Sequence, residues 1–188
     1  MLSKDSETGR QSPLPETHWL RSLSAAGLQS PEVRGPARYW LGVEGSFTRA
    51  LQQQCREAFH VEVCTEGFAR PSAEEARRLD IPPRQQAWIR EVRLCGDHQL
   101  WVLARTVIPV PCLEGRGRQL RHLGSRPLGA YLFSSPDWSR GPLEVGLCRA
   151  TQPGQPRLAR RSLFHCQHQA LMVCEYLLPD LYLPAGPL

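Results

Sequence analysis

Two arginines occupy strand positions where alternation calls for apolar residues. Buried guanidinium groups need anions close by, because an unpaired charge in a dry interior is costly. The sequence therefore predicts either internal carboxylates at these positions or a ligand that carries carboxylates. The two alternating faces, in residues 87–95 and 100–108, carry Trp88, Arg90, Val92 and Leu94, and then Trp101, Leu103, Arg105 and Val107.

The two strands are separated by Gly-Asp-His-Gln at 96–99, which is turn material and predicts a hairpin. With a loop of two or four residues, Arg90 faces Arg105, and three apolar pairs fall into register with them. Two guanidinium groups about 4 Å apart repel by roughly 4 kcal/mol at an effective dielectric near 20. A structural ion pair or an anionic ligand must offset this repulsion, and both interpretations stay open.

A third inward charge lies in residues 170–178, where Glu175 shares a face with Leu171, Val173 and Leu177. Glu175 could neutralise one of the arginines as an internal partner. It could instead accept a hydrogen bond from a ligand hydroxyl or handle a proton. One carboxylate does not fully serve two guanidinium groups, so positive charge remains to attract an anion.

Composition and length predict one domain. The chain has 188 residues, of which 41% are hydrophobic and 22% charged. Residues 1–17 are polar and Pro-rich and predict a disordered tail, followed by a domain over 18–188. No apolar run reaches the roughly 20 residues of a membrane span, and the first residues do not resemble an export signal. Seven cysteines without a Cys-x-x-Cys motif fit reduced thiols in a cytoplasm.

The net charge of +5 is spread along the chain, so we expect a small anionic partner and no nucleic acid. The arginine doublets 77–78 and 160–161 are interpreted as solvated, although Arg161 could steer an anion. Strand alternation separates His165 from Cys166 and His168, so we predict no metal site. No nucleotide-binding or nucleophile-elbow motif is present.

The succession of hairpins and short helices predicts an α+β fold, with an antiparallel sheet and helices packed on one face. Ser46 caps a helix that runs to about Ala58, and Ser72 caps a second. Ser125 and Pro127 begin a third. Strands are predicted over 59–65, 87–110 as the hairpin, 143–148, 161–167 and 170–178, and Gly67 is expected to break the first of them.

A set of motifs extends from one end of the chain to the other: Trp19, Trp40-Leu41, Gly-Ser-Phe-Thr-Arg at 45–49, Trp-Ile-Arg-Glu-Val at 88–92, Ala-Arg-Thr-Val-Ile-Pro at 104–109, Arg-Pro-Leu-Gly at 126–129, Tyr-Leu-Phe at 131–133, Arg-Arg-Ser at 160–162 and Glu-Tyr-Leu-Leu-Pro at 175–179. Through these motifs, nearly the whole chain resembles the chorismate pyruvate-lyase family.

The resemblance implies a sheet of about six strands with a ligand enclosed beneath helical flaps. It implies an enzyme that removes pyruvate from chorismate to give 4-hydroxybenzoate for ubiquinone synthesis, without a cofactor. By resemblance, Arg90 binds the ring carboxylate, Glu175 meets the ring hydroxyl, the backbone near Leu128 lies at the ligand, and Phe47 occupies a flap position that is Met or Leu elsewhere. Arg105 is then expected to hold the second carboxylate and stabilise the departing enolpyruvate. We also expect a monomer.

Two other classes remain open. Ligand domains of some bacterial transcription regulators share this sheet architecture, which makes a non-catalytic effector-binding domain the main alternative. Such domains normally follow a helix-turn-helix, and about 18 residues before Trp19 are too few for one. A basic nucleic-acid binder would show affinity that falls steeply with salt.

Overall fold

The computed structural model describes residues 14–183. Its centre is one antiparallel sheet of eight strands, two more than the resemblance implied, in the order β1-β6-β7-β8-β4-β3-β2 with the short β5 paired to β7. The α+β prediction is confirmed. The strands are β1 (Thr17–Leu20), β2 (Phe59–Ala69), β3 (Ala87–Gly96), β4 (Gln99–Pro109), β5 (Ser139–Arg140), β6 (Glu144–Cys148), β7 (Leu158–Cys166) and β8 (Gln169–Leu177).

Six short helices and two 3₁₀ segments, Val110–Leu113 and Gly115–His122, connect the strands. None of these described helices combines the length and the apolar character needed to cross a membrane. Residues 1–13, most of the predicted tail, lie outside the described range. The helices are α1 (Leu23–Gln29), α2 (Gly35–Gly42), α3 (Phe47–Gln54), α4 (Ala73–Arg78), α5 (Leu128–Ser134) and α6 (Pro179–Tyr182).

Two of the three predicted helix starts are confirmed. The Ser46 hydroxyl accepts from the Arg49 amide, and Ser72 forms a capping box with Glu75. The third helix, α5, starts at Leu128 rather than near Ser125, because a residue that precedes proline is driven out of the helical region.

Helix α3 ends at Gln54, four residues before the predicted Ala58. The reason lies in the β3–β4 turn, where the Asp97 carboxylate accepts from the amides of Arg56 at 2.9 Å and Glu57 at 2.8 Å. These bonds satisfy the backbone amides of the extended segment that follows the helix. A longer helix would therefore satisfy no further backbone donors at these residues.

The sheet separates two sets of packed side chains. On the front face, two clusters lie side by side, one around Trp40, Leu51 and Val102 and the other around Ile108, Leu132 and Phe164. The back face carries a cluster around Leu103 and Met172. Helix α4 lies over the back face, whereas α3 and α5 contact each other over the front.

A bulge in the β3–β4 hairpin overturns the predicted register. The turn itself has two residues with positive φ, Asp97 at 51° and His98 at 63°, as a type I′ turn requires. Cys95 pairs with Leu100 as predicted, but the next pair is Leu94 with Val102, so Trp101 is an extra residue in β4. A side chain at Gly96 would lie 2.2 Å from the Trp101 ring, so only glycine leaves room for that ring.

The extra residue moves Arg105 to the back face. Arg90 pairs with Thr106, and Arg105 pairs with Glu91, so the predicted opposition of Arg90 and Arg105 is wrong. A one-residue shift in register exchanges the two faces of a strand. The predicted face of β3 itself is right, because Arg90 remains on the front with Val92 and Leu94.

A second bulge lies in β2, which continues through Gly67 to Ala69 rather than stopping near Thr65. The register shifts between Val63 and Thr65, and Glu66 consequently pairs with Arg90. Without that shift, the alternation would place Thr65 opposite Arg90.

Ion pairs fasten α4 to the back face. Glu75 accepts from Nε and Nη2 of Arg105 at 2.7 and 3.0 Å, and Glu91 accepts from Nη1 at 2.7 Å. Arg161 bonds Glu74 at 2.8 Å and also bonds Glu144. Burial alone would raise the pKa of Glu75, but the hydrogen bonds and charge of Arg105 hold that pKa below its ordinary value.

We predict that Arg105→Gln lowers the free energy of unfolding by about 3 kcal/mol at neutral pH, because Glu75 is left as a buried charge without its partner. The deficit should shrink as the pH falls. In the variant, burial without Arg105 makes Glu75 take up a proton first, which removes the unpaired charge, and the wild type loses its own ion pair as the pH falls through the lowered pKa of Glu75. Denaturant-induced unfolding at several pH values measures the difference in unfolding free energy between the variant and the wild type.

The matched control for this variant is Arg149→Gln, because the Arg149 side chain is 82% exposed. The change in unfolding free energy caused by Arg149→Gln should stay within about 0.5 kcal/mol. Equal stability of the Arg105 and Arg149 variants would contradict the ion-pair role of Arg105.

Candidate active site

A cavity of about 50 Å³ lies on the front face, between the two front clusters. Its floor consists of two cross-strand rows that run over β7, β8, β4 and β3. Helices α3 and α5 form its roof. The floor rows are Ser162, Val173, Thr106 and Arg90, and, beside them, Arg160, Glu175, Ala104 and Val92; the roof residues are Phe47, Thr48, Leu128, Gly129, Leu132 and Phe133.

Arg90 is 2% exposed and lines one end of this cavity. Its Nη1 donates to Glu66 at 2.8 Å, and its Nη2 donates to the carbonyls of Gly124 at 2.7 Å and Arg126 at 3.4 Å. Within residues 14–183 its Nε makes no hydrogen bond. Arg90 therefore ties β3 to the loop before α5 and retains a donor for a ligand.

Glu175 lies in the middle of the floor beside Arg160. Its Oε2 is 2.9 Å from Nε of Arg160, but the N–H does not point at the oxygen, so the contact is an ion pair without a hydrogen bond. Burial raises the pKa of Glu175, although the charges of Arg160 and Arg140 oppose the shift. Glu175 is thus an acid that stays protonated to a higher pH than an exposed glutamate.

Arg160 is 1% exposed, so the prediction of a solvated arginine doublet is wrong; Arg161 is buried as well, at 4%. The Nη1 of Arg160 donates to the carbonyls of Trp40, Leu41 and Val43 at 3.0, 3.3 and 2.9 Å, at the end of α2. A cation there complements the helix dipole.

Phe47 covers the Arg160 guanidinium. The Cζ of Arg160 lies 4.5 Å from the centre of the Phe47 ring, which is within the range of cation–π attraction. The first residue of α3 is therefore packed directly on the charged floor of the cavity, and the roof and the floor are in contact.

Arg140, in β5, also lines the cavity. Its Nε donates to the Ser162 hydroxyl at 2.9 Å, and its Nη1 makes a long 3.4 Å bond to the Gly45 carbonyl. Burial lowers the pKa of Arg140, and the charges of Glu175 and Glu44 oppose this shift from a distance.

The structure brings four of the five predicted site residues together: Arg90, Glu175, Phe47 and Leu128 line the cavity. Arg105 does not line it, because the Trp101 bulge places Arg105 on the opposite face. Across residues 14–183, no group of three or more His, Cys, Asp or Glu side chains is arranged to hold a metal ion.

Sequence reasoning missed Arg160 and Arg140. The signal for Arg160 was present, since it alternates with Leu158, Ser162 and Phe164 as Arg90 does with its own neighbours. It was hidden by the adjacent Arg161, which made the pair resemble a solvated doublet. Arg140 lies in a two-residue strand, too short for any periodicity.

Comparisons with known proteins identify the family of this chain. The family model described as chorismate lyase matches residues 14–186. A relative from Marinobacter nauticus, "Probable chorismate pyruvate-lyase", is 67% identical over 182 residues, which cover 97% of each chain. "Chorismate pyruvate-lyase" of Serratia proteamaculans is 39% identical over 181 residues, covering 95% of this chain and 92% of that one.

Among solved structures, the effector domain of PhnF from Mycobacterium smegmatis resembles the chain with a TM-score of 0.49 and 16% identity, over 72% of this chain and 90% of that one. The family match and the relatives of high identity extend over nearly the full length, and they include the cavity residues described above. The chain belongs to the chorismate lyase family.

Proposed function

We propose that this protein removes pyruvate from chorismate to give 4-hydroxybenzoate. The observation that carries the proposal is that Arg90 and Glu175 face one cavity on neighbouring rows of the same sheet face. A single strand, β4, separates the two residues, so their strands are roughly 10 Å apart. A six-membered ring with a carboxylate at one end and a hydroxyl at the other spans such a gap between two side chains. The relatives named chorismate pyruvate-lyase support the assignment.

In this proposal, each end of the ring meets a complementary group. Arg90 binds the ring carboxylate, and the backbone near Leu128 lies close to it at the start of α5. Glu175 accepts from the hydroxyl on ring carbon 4. Phe47 and Leu128 press on the ring from the roof, which keeps water away and strengthens the charged contacts on the floor.

The reaction requires two bonds to break. Ring carbon 4 loses its hydrogen as a proton, and the bond between ring carbon 3 and the enolpyruvyl oxygen breaks, so the ring becomes aromatic. The departing enolpyruvate takes up a proton at its methylene carbon and becomes pyruvate. Atoms and electrons balance without a redox partner, and the aromatic product makes the reaction favourable. The protein has to orient and polarise the substrate.

The finer expectations belong to the same proposal. The product would supply ubiquinone synthesis in a cytoplasm, and the protein would act as a monomer without nucleic acid. Size-exclusion chromatography with light scattering tests the monomer. A DNA-binding assay at two salt concentrations tests the absence of nucleic-acid affinity.

The direct test of the function is to incubate purified protein with chorismate and to follow 4-hydroxybenzoate and pyruvate. We expect equal amounts of the two products. Binding of chorismate without turnover would favour the effector-binding alternative and overturn the proposal.

We predict that Arg90→Gln and Glu175→Gln each lower kcat/KM for chorismate at least about a hundredfold, the scale for loss of one transition-state contact. Steady-state kinetics measures the change. The matched control is Arg93→Gln on the same strand, because Arg93 points to the other face and pairs with the half-exposed Glu62 at 3.4 Å. Near-normal rates in both site variants would mean that the site lies elsewhere.

We predict an acidic limb in the pH profile of kcat/KM that belongs to Glu175. The carboxylate form accepts the hydroxyl hydrogen bond, and burial raises the pKa above its ordinary value of 4.5. Activity should therefore fall as the pH drops through this raised pKa, because the protonated form accumulates. Glu175→Gln should lack this limb in its residual activity; an unchanged limb in that variant would assign the titration to another group.

A further inference from the structure

We propose that Arg140 binds the enolpyruvyl carboxylate of the substrate. This inference rests on the proposed function and extends it, because it assigns the second carboxylate of the dianion. The residue expected to take that carboxylate, Arg105, lies on the other face of the sheet with its guanidinium bonded to Glu75 and Glu91.

The first argument is an imbalance of charge. The other arginines that are buried or half-buried along the sheet have a carboxylate in contact: Arg90 has Glu66 at 2.8 Å, Arg105 has Glu75 at 2.7 Å, Arg160 has Glu175 at 2.9 Å, and Arg161 has Glu74 at 2.8 Å.

Arg140 differs from them. Among residues 14–183, no carboxylate lies within ion-pair distance of Arg140, and both of its hydrogen bonds go to neutral oxygens, those of Ser162 and Gly45. Two carboxylates act on Arg140 from a distance: Glu175 is in contact with Arg160 instead, and Glu44 is exposed. A positive charge that faces a cavity without a carboxylate in contact attracts an anion.

The second argument is position. Ser162, which anchors Arg140, lies in the same floor row as Arg90, at the opposite end. The row crosses four strands, so the two ends are roughly 14 Å apart at the backbone. Glu175 lies in the adjacent row, next to the Ser162 end. Arg90 and Arg140, which both retain donors without a hydrogen bond, therefore stand at the two ends of one cavity.

Substrate chemistry relates these positions to the second carboxylate. The hydroxyl and the enolpyruvyl oxygen are on neighbouring ring carbons, and the ring carboxylate is on the far side of the ring. A ring held with its carboxylate on Arg90 and its hydroxyl on Glu175 must project the enolpyruvyl group at the Glu175 end of the cavity, where Arg140 lies.

Arg160 also lies at this end, but its charge already has a carboxylate in contact. Its Nη1 bonds three backbone carbonyls, its Nε is 2.9 Å from Glu175 without a hydrogen bond, and the Phe47 ring covers the guanidinium. Arg160 is a positioning residue that holds Glu175 in place. Arg140 has a weak 3.4 Å bond at Nη1, and its Nη2 makes no hydrogen bond within the described chain, so it can turn two donors toward a carboxylate.

The test compares two ligands that differ in the group at issue. Chorismate carries the enolpyruvyl carboxylate, and 4-hydroxybenzoate does not. In Arg140→Gln, kcat/KM for chorismate should fall about tenfold to a hundredfold, the scale for loss of a charge-assisted hydrogen bond. The Kd of 4-hydroxybenzoate, measured by calorimetry, should change less than about twofold, and this retained binding also reports a folded site.

Further variants separate the contact from its support. Arg140→Lys keeps the charge and should lose less activity than Arg140→Gln, and Ser162→Ala should cause a smaller loss of the same kind because it releases the Nε anchor. Arg90→Gln should weaken both ligands. Arg149→Gln, an exposed arginine, should weaken neither.

Equal weakening of chorismate and 4-hydroxybenzoate in Arg140→Gln would overturn the assignment, and so would an unchanged kcat/KM. In both cases the wild-type protein would still release pyruvate, so the proposed function would stand. Absence of turnover in the wild type would instead overturn the function, and the assignment of Arg140 with it.

Discussion

The cost of burying guanidinium groups governs this structure. An arginine in a sheet core must meet a carboxylate or leave an uncompensated charge in a dry interior. On the back face, Arg105 and Arg161 form ion pairs with acidic residues of α4 and of neighbouring strands. These ion pairs hold α4 against the sheet. On the front face the balance is incomplete, because Arg140 has no carboxylate in contact within the described chain. The same physical demand therefore produces a scaffold on one side of the sheet and, on the other, a cavity with a charge that lacks a carboxylate in contact.

The assignment of charges to faces depends on two extra residues in the sheet. Trp101 shifts the register of β4 and sends Arg105 to the back, where Glu91 and Glu75 receive it. The bulge near Cys64 in β2 brings Glu66 beside Arg90. Each bulge exchanges the faces of every residue beyond it. Two local irregularities in strand register thus decide which side chains face the cavity.

The residues of the site also hold the fold together. Arg90 bonds the loop that leads into α5, Arg160 bonds the last carbonyls of α2, and Phe47 lies on the Arg160 guanidinium. Roof and floor are consequently linked through charged groups rather than through apolar packing alone.

The sequence by itself determined the fold class, the helix caps at Ser46 and Ser72, and the inward direction of Arg90 and Glu175, because alternation and capping depend on nearby residues. It also pointed to the family. Only the tertiary structure decided that Arg105 leaves the site and that Arg140 and Arg160 enter it. The reason is that a bulge is set by packing between strands, here the Trp101 ring over Gly96, and that contacts between distant segments leave no local period in the chain.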